Sequence, residues 1–130
     1  MDDLVAFVEA RLADDEQAAT QCVERDWQFS GSNCHVLAER SANGSFRTIA
    51  WCANGYDDDL SNSIHIAVHD PARVLREVEA KRQILRYVRG ELADDETDQS
   101  AQWLLQMLAA PFADHPDFLA SWLIEEPADG

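Results

Sequence analysis

His65 and His69 stand four residues apart, so on a helix both imidazoles project from one face about one turn apart, the spacing that helical metal sites use. A zinc site needs a third ligand. His115 is the candidate, with Asp70 and Asp114 as oxygen ligands or as groups that orient an imidazole. Ile66 follows His65, so the pair lacks the Glu that serves as general base in an HExxH metalloprotease. The plainer expectation is that the two histidines cap helix ends and pack near tryptophans.

The second concentration of chemistry is basic. Arg73, Arg76, Lys81, Arg82, Arg86 and Arg89 fall on one predicted helix, where they are expected to pair with the acidic flanks within the fold or between subunits. The alternative is a pocket in which Arg73, Arg76, Arg82 and Arg86 grip an anionic small molecule, because guanidinium groups make bidentate contacts to phosphate.

Other reactive patterns lead nowhere. Cys34 and His35 are neighbours on a predicted strand, so their side chains point to opposite faces and cannot form a thiolate–imidazole pair. The chain has no GxSxG elbow and no phosphate-cradling glycine-rich loop, which excludes a P-loop nucleotide hydrolase. Asp57, Asp58 and Asp59 lack the alternating ligand spacing of an EF-hand and are expected in a solvated loop. Trp103 and Trp122 are candidate interface anchors, since aromatic residues are enriched where proteins dock, and the stripe over 103–108 can pack on a second copy as a homodimer.

These residues need elements to hold them. Leu4, Val5, Val8, Leu12, Ala18 and Ala19 predict an amphipathic helix over 2–21, with Asp2 and Asp3 complementing its start. Strands are expected over 34–38 and 46–52, joined by a hairpin at Asn43-Gly44, with Trp27 and Phe29 opening a third. Residues 54–59 read as a loop. A second helical region begins near Leu60 or Ser61, is interrupted before Pro71, and runs on to Arg89, with Asp70 as N-cap and Gly90 as its stop. An acidic linker over 91–100, a short apolar helix over 101–110, a break over 111–116 and a last helical turn through Phe118 and Trp122 complete the chain. The expected fold is α+β: one mostly helical domain over 1–124, with a small antiparallel hairpin or three-stranded sheet packed on helices, and a flexible acidic tail over 125–130.

Charge narrows the partners. The formal net charge is -15, with 10 acids and no base over 91–130. This disfavours direct DNA or RNA binding, which draws its affinity from Lys and Arg. No apolar run approaches the roughly 20 residues of a membrane span. Asp2 and Asp3 stand where a secretory signal places positive charge, so cytoplasmic residence is expected. Three cysteines without CxxC spacing read as reduced thiols, although a Cys34–Cys52 pair across the hairpin is geometrically feasible.

Three segments, 1–12, 65–82 and 111–116, carry a resemblance. The middle one, His65-Ile66-Ala67-Val68-His69-Asp70-Pro71-Ala72-Arg73-Val74-Leu75-Arg76, is the most specific, and Pro111-Phe112-Ala113-Asp114-His115-Pro116 is the last. Together they resemble an uncharacterised family, domain of unknown function 6221, found in actinobacteria and their phages. The resemblance implies a bacterial or phage-infected cytoplasm and no established activity. Members often carry a cysteine-rich stretch before the last segment; 91–100 contains no cysteine, so a zinc site built there is absent from this chain. The leading expectation is a non-enzymatic acidic accessory protein without cofactor, binding a protein partner and modulating a host process for a phage or prophage. The alternatives are a sponge for an anionic nucleotide signal, gripped by the arginines, and a histidine-based metal protein.

Overall fold

The computed structural model describes residues 1–30, 35–39, 44–52 and 57–125. Four helices, α1 (Asp2–Thr20), α2 (Asp57–Val68), α3 (Pro71–Asp94) and α4 (Gln99–Ala109), accompany three strands, β1 (Trp27–Ser30), β2 (His35–Glu39) and β3 (Phe46–Trp51). The fold is α+β and mostly helical, as the residue pattern implies. Cys34, Asn43, the 54–56 part of the expected loop and tail residues 126–130 lie outside the described residues. The chain gathers into two compact units, Asp15–Glu77 and Met1–Asp14 with Val78–Gly130.

Asp15–Glu77 is built on an antiparallel sheet of order β1-β2-β3. Trp27 pairs with Ala38, Phe29 with Val36, and His35 with Trp51. The register of β2 on β3 shifts between Val36 and Leu37, a bulge that sharpens local twist. Val36 and Ala38 are fully buried while Glu39 is exposed, so alternate residues of β2 face the core. Helix α2 lies against β1 and β2 and buries Ser63 and Ala67. Gly44 has φ +68°, a conformation glycine adopts without the Cβ clash of other residues; it is the turn position expected from Asn43-Gly44. The carboxylate of Asp70 joins two elements. Its Oδ1 accepts the Arg73 N–H at 2.9 Å as the predicted helix cap, and its Oδ2 accepts the Trp27 N–H at 3.0 Å.

The other unit holds the first turns of α1, α3 from Val78 onward, α4 and two 3₁₀ turns, Ala110–Phe112 and Ala120–Trp122. Its core is Leu4, Phe7, Val8 and Leu12 from α1, Val78, Leu85 and Val88 from α3, and Ala101, Leu105, Leu108 and Ala109 from α4. The steps of three, four and seven residues within these sets follow the helical apolar stripe. Each fully buried Leu or Val contributes about 1.5–3 kcal/mol relative to exposure.

Three sequence expectations need correction. Helix α2 begins at Asp57 rather than near Leu60, so 57–59 belong to the helix. Helix α3 passes through Gly90 to Asp94. A glycine stop works through a left-handed residue, and Gly44 is the glycine with positive φ among the described residues. A right-handed Gly90 costs only about 1 kcal/mol against Ala, and Glu91, Leu92 and Ala93 carry the helix on. The acidic linker is therefore only the short interval before α4, whose N-cap is Asp98, accepting the Ala101 N–H at 3.0 Å.

Candidate functional site

The basic residues of α3 divide between the two units, and Arg73, Arg86 and Arg89 meet acids. In Asp15–Glu77, Arg73 Nε donates to Glu77 Oε1 at 2.9 Å, and Arg76 is exposed. In the other unit Arg86 Nη2 lies 3.4 Å from Glu79 Oε1, and Arg89 Nη1 lies 2.6 Å from Glu9 Oε1. A hydrogen bond from Gln83, then one from Arg86, holds the Glu79 carboxyl below its ordinary pKa. Arg89 thus meets the acidic flank 1–60 through Glu9, whereas Arg73 and Arg86 meet acids of α3 itself. Such exposed pairs are screened by solvent and weak, so they leave the guanidinium groups open to competition. Arg82, Arg86 and Arg89, with Glu9, line a cavity of about 300 Å³ floored by Leu12 and Leu85.

His65 and His69 are both exposed, with ring centroids 4.3 Å apart and planes tilted by 35°. His69 Nδ1 donates to the His65 carbonyl at 2.8 Å, which holds the ring at the end of α2. His115 belongs to the other unit. Asp70 is committed to Trp27 and Arg73, and Asp114 is exposed. Among the described residues no group of three or more His, Cys, Asp or Glu is arranged to hold a metal ion. Cys22 and Cys52 are free and half-buried.

His115 is part of an aromatic cluster that sequence reasoning missed. Buried Phe7 of α1 sits at its centre, with ring centroids 5.6 Å from His115, 5.8 Å from Phe118, 5.1 Å from Trp122 and 6.5 Å from Phe112. Phe112, His115 and Phe118 meet Phe7 edge-on, which suits the ring quadrupoles, and Trp122 is tilted by 52°. Arg11, one turn along α1, lies with its guanidinium carbon 5.2 Å from the Phe7 ring centre, within cation–π range. Its Nη1 donates to the His115 ring at 2.8 Å from Nδ1, an atom that also accepts the Asp117 N–H at 3.1 Å. Arg11 Nε lies 3.1 Å from Asp14 Oδ2 but off the line of a hydrogen bond; that contact is an ion pair. The segment 111–118 is thereby fastened to α1. Trp122 is half-buried in the cluster, its ring engaged by Phe7 and Phe118.

Trp103 has a different setting. On α4 it is 51% exposed, and Met107, one turn further, is 53% exposed. Helix α4 contains no charged residue, in a chain of which 27% is charged. Its inner face is satisfied by Ala101, Leu105 and Leu108, so nothing in the core requires a tryptophan and a methionine on the outer one.

A second feature of the same unit is a cleft of about 830 Å³ between α1 and α3. One wall is Asp2, Val5, Ala6 and Glu9; the other is Arg89, Leu92, Ala93 and Glu96. The α1 wall follows the spacing i, i+3, i+4, i+7 for two turns, about 10 Å; Arg89, Leu92 and Ala93 follow i, i+3, i+4 on α3, and Glu96 stands in the turn after its end. Asp3, Met1 and Thr97 complete the lining. The cleft exists because α3 continues past Gly90, and ending the helix there hides it from sequence reasoning.

Among the described residues no helix is long and apolar enough to cross a membrane. Neither the curated proteins nor the solved structures contain a match to this chain. Residues 1–124 match the model of a family of unknown function, DUF6221, and the chain belongs to that family.

Proposed function

We propose that this chain is a non-enzymatic acidic accessory protein that acts in the cytoplasm by binding a protein partner through the outer face of α4, in keeping with a phage or prophage modulator of a host process. The observation that carries this reading is the uncharged helix exposing Trp103 and Met107 one turn apart. Interface centres are depleted in charge and enriched in Trp and Met, and a Trp at such a centre commonly supplies 2 kcal/mol or more of binding, a factor of about 30. The test is retrieval of the partner from host lysate by wild-type protein and by Trp103→Ala and Met107→Asp variants. The same partner should be lost from both variants and kept by Gln83→Ala, which alters an exposed site on α3. Equal retrieval by all four proteins contradicts the reading.

A second reading, capture of an anionic small molecule such as a nucleotide signal, draws support from the cavity lined by Arg82, Arg86 and Arg89. Arg73 and Arg76, the other candidates for that role, belong to the Asp15–Glu77 unit. A thermal-shift panel of nucleotides separates the two readings: a shift abolished by Arg86→Glu supports the small ligand, and a flat panel dismisses it.

A further inference from the structure

We propose that the cleft between α1 and α3 is a docking groove for a basic amphipathic helix of a protein partner. Its floor is apolar and shallow: Val5 and Leu92 are half-buried, and Ala6 and Ala93 are exposed. Small residues in the middle of both walls let another backbone approach closely. The two walls repeat every three and four residues, as does the apolar stripe of a helix, so the stripe of a third helix can seat along the groove.

The charges select the partner. The Glu9–Arg89 ion pair closes one end of the groove, and that end is neutral. The other end presents the carboxylates of Asp2, Asp3 and Glu96, all exposed, and no basic side chain. Helix α3 finishes there and α1 begins there, so the negative end of one helix dipole and the positive end of the other offset each other and the carboxylates set the charge of this end. A second copy of this chain, carrying a net charge of -15, is repelled. A helix with Lys or Arg beside its apolar stripe is attracted, steered in at low salt, and held by the floor. This groove does not use the outer face of α4, so the inference and the proposed function stand or fall separately.

The experiment is fluorescence anisotropy of the full chain with a labelled peptide of Leu, Ala and Lys whose apolar residues recur at every third and fourth position. A scrambled peptide of equal composition is the comparison. Binding is expected, at least about tenfold weaker for the scrambled peptide, a difference of about 1.4 kcal/mol. Ala93→Trp fills the floor and should weaken binding by a similar factor; Ala6→Trp does so from the opposite wall, and circular dichroism checks that each folds. Asp2→Asn with Glu96→Gln should reduce both affinity and salt dependence. Trp103→Ala should leave binding unchanged. Absence of binding, equal affinity for the scrambled peptide, or indifference to both groove-filling variants overturns the proposal. So does loss of binding in Trp103→Ala, which would place the peptide on α4. Full displacement of the peptide by free spermidine, with equal binding of a peptide whose Leu residues are replaced by Ser, overturns it in favour of a polyamine site.

Discussion

Arg11 and His115, 104 positions apart in the chain, are joined by a hydrogen bond from the guanidinium to the imidazole. This contact explains why an arginine stands near the core on α1. Its side chain is only 13% exposed, and its charge is met by the Phe7 ring, the His115 ring and Asp14. It also fastens the 3₁₀ turns after α4 to the start of the chain.

Arg11→Ala should therefore lower unfolding stability by about 1–3 kcal/mol, the cost of leaving a half-buried acceptor unpaired together with lost packing. His115→Ala should cost a comparable amount. The double variant should fall short of the sum by about 0.5 kcal/mol or more, since the residues share one interaction. Urea denaturation of the four proteins measures this coupling; strict additivity would show that the pair contributes nothing jointly.

Asp70→Ala should cost about 1–3 kcal/mol, because one carboxylate both caps α3 at Arg73 and receives the Trp27 N–H of β1. Asp70→Asn, which keeps an acceptor, should cost less. The ordering of the two variants in denaturant midpoint checks the dual role, and equal midpoints would reduce it to charge alone.

Gly90→Ala should stabilise the protein by about 0.5–1 kcal/mol, as Gly90 lies within α3 and an added Cβ meets nothing within 4 Å. Gly44→Ala should do the reverse, by about 1 kcal/mol, because its φ of +68° disfavours any Cβ. Thermal midpoints moving in opposite directions would confirm both assignments.

The Asp95 carboxyl sits below its ordinary pKa, held there by hydrogen bonds from the Thr97 hydroxyl and backbone N–H, at 2.6 and 2.9 Å. A folded-state value below the unfolded one means that the stabilisation is complete above the ordinary carboxylate range. It disappears as pH falls through the lowered value. Thr97→Val should move the Asp95 titration, followed by NMR, back towards the ordinary value; no movement would show that the hydroxyl has no part in it.

These contacts were legible to different degrees, according to how local they are. Asp70-Pro71 announces a helix start through its own chemistry, and Asp70 does cap α3. Asn43-Gly44 likewise announces a turn, and Gly44 has the backbone such a turn requires. Gly90 misleads for an equally local reason: glycine is a weak helix breaker, and only a left-handed conformation makes it a stop. The carboxylates around it resemble a solvated linker, although Glu91 to Asp94 are helical and Asp98 is a cap. The Arg11–His115 bond and the α1–α3 cleft depend on elements brought together from distant parts of the chain. Neither has a spacing to read.

The central claim, that the outer face of α4 binds a protein, is tested most directly by native mass spectrometry of the protein purified from its own host. The account predicts a complex of fixed stoichiometry with another polypeptide, reduced to the bare chain by Trp103→Ala while the circular dichroism spectrum is unchanged. A spectrum holding only the bare chain, or one whose surplus mass is a nucleotide or a metal ion, would contradict it.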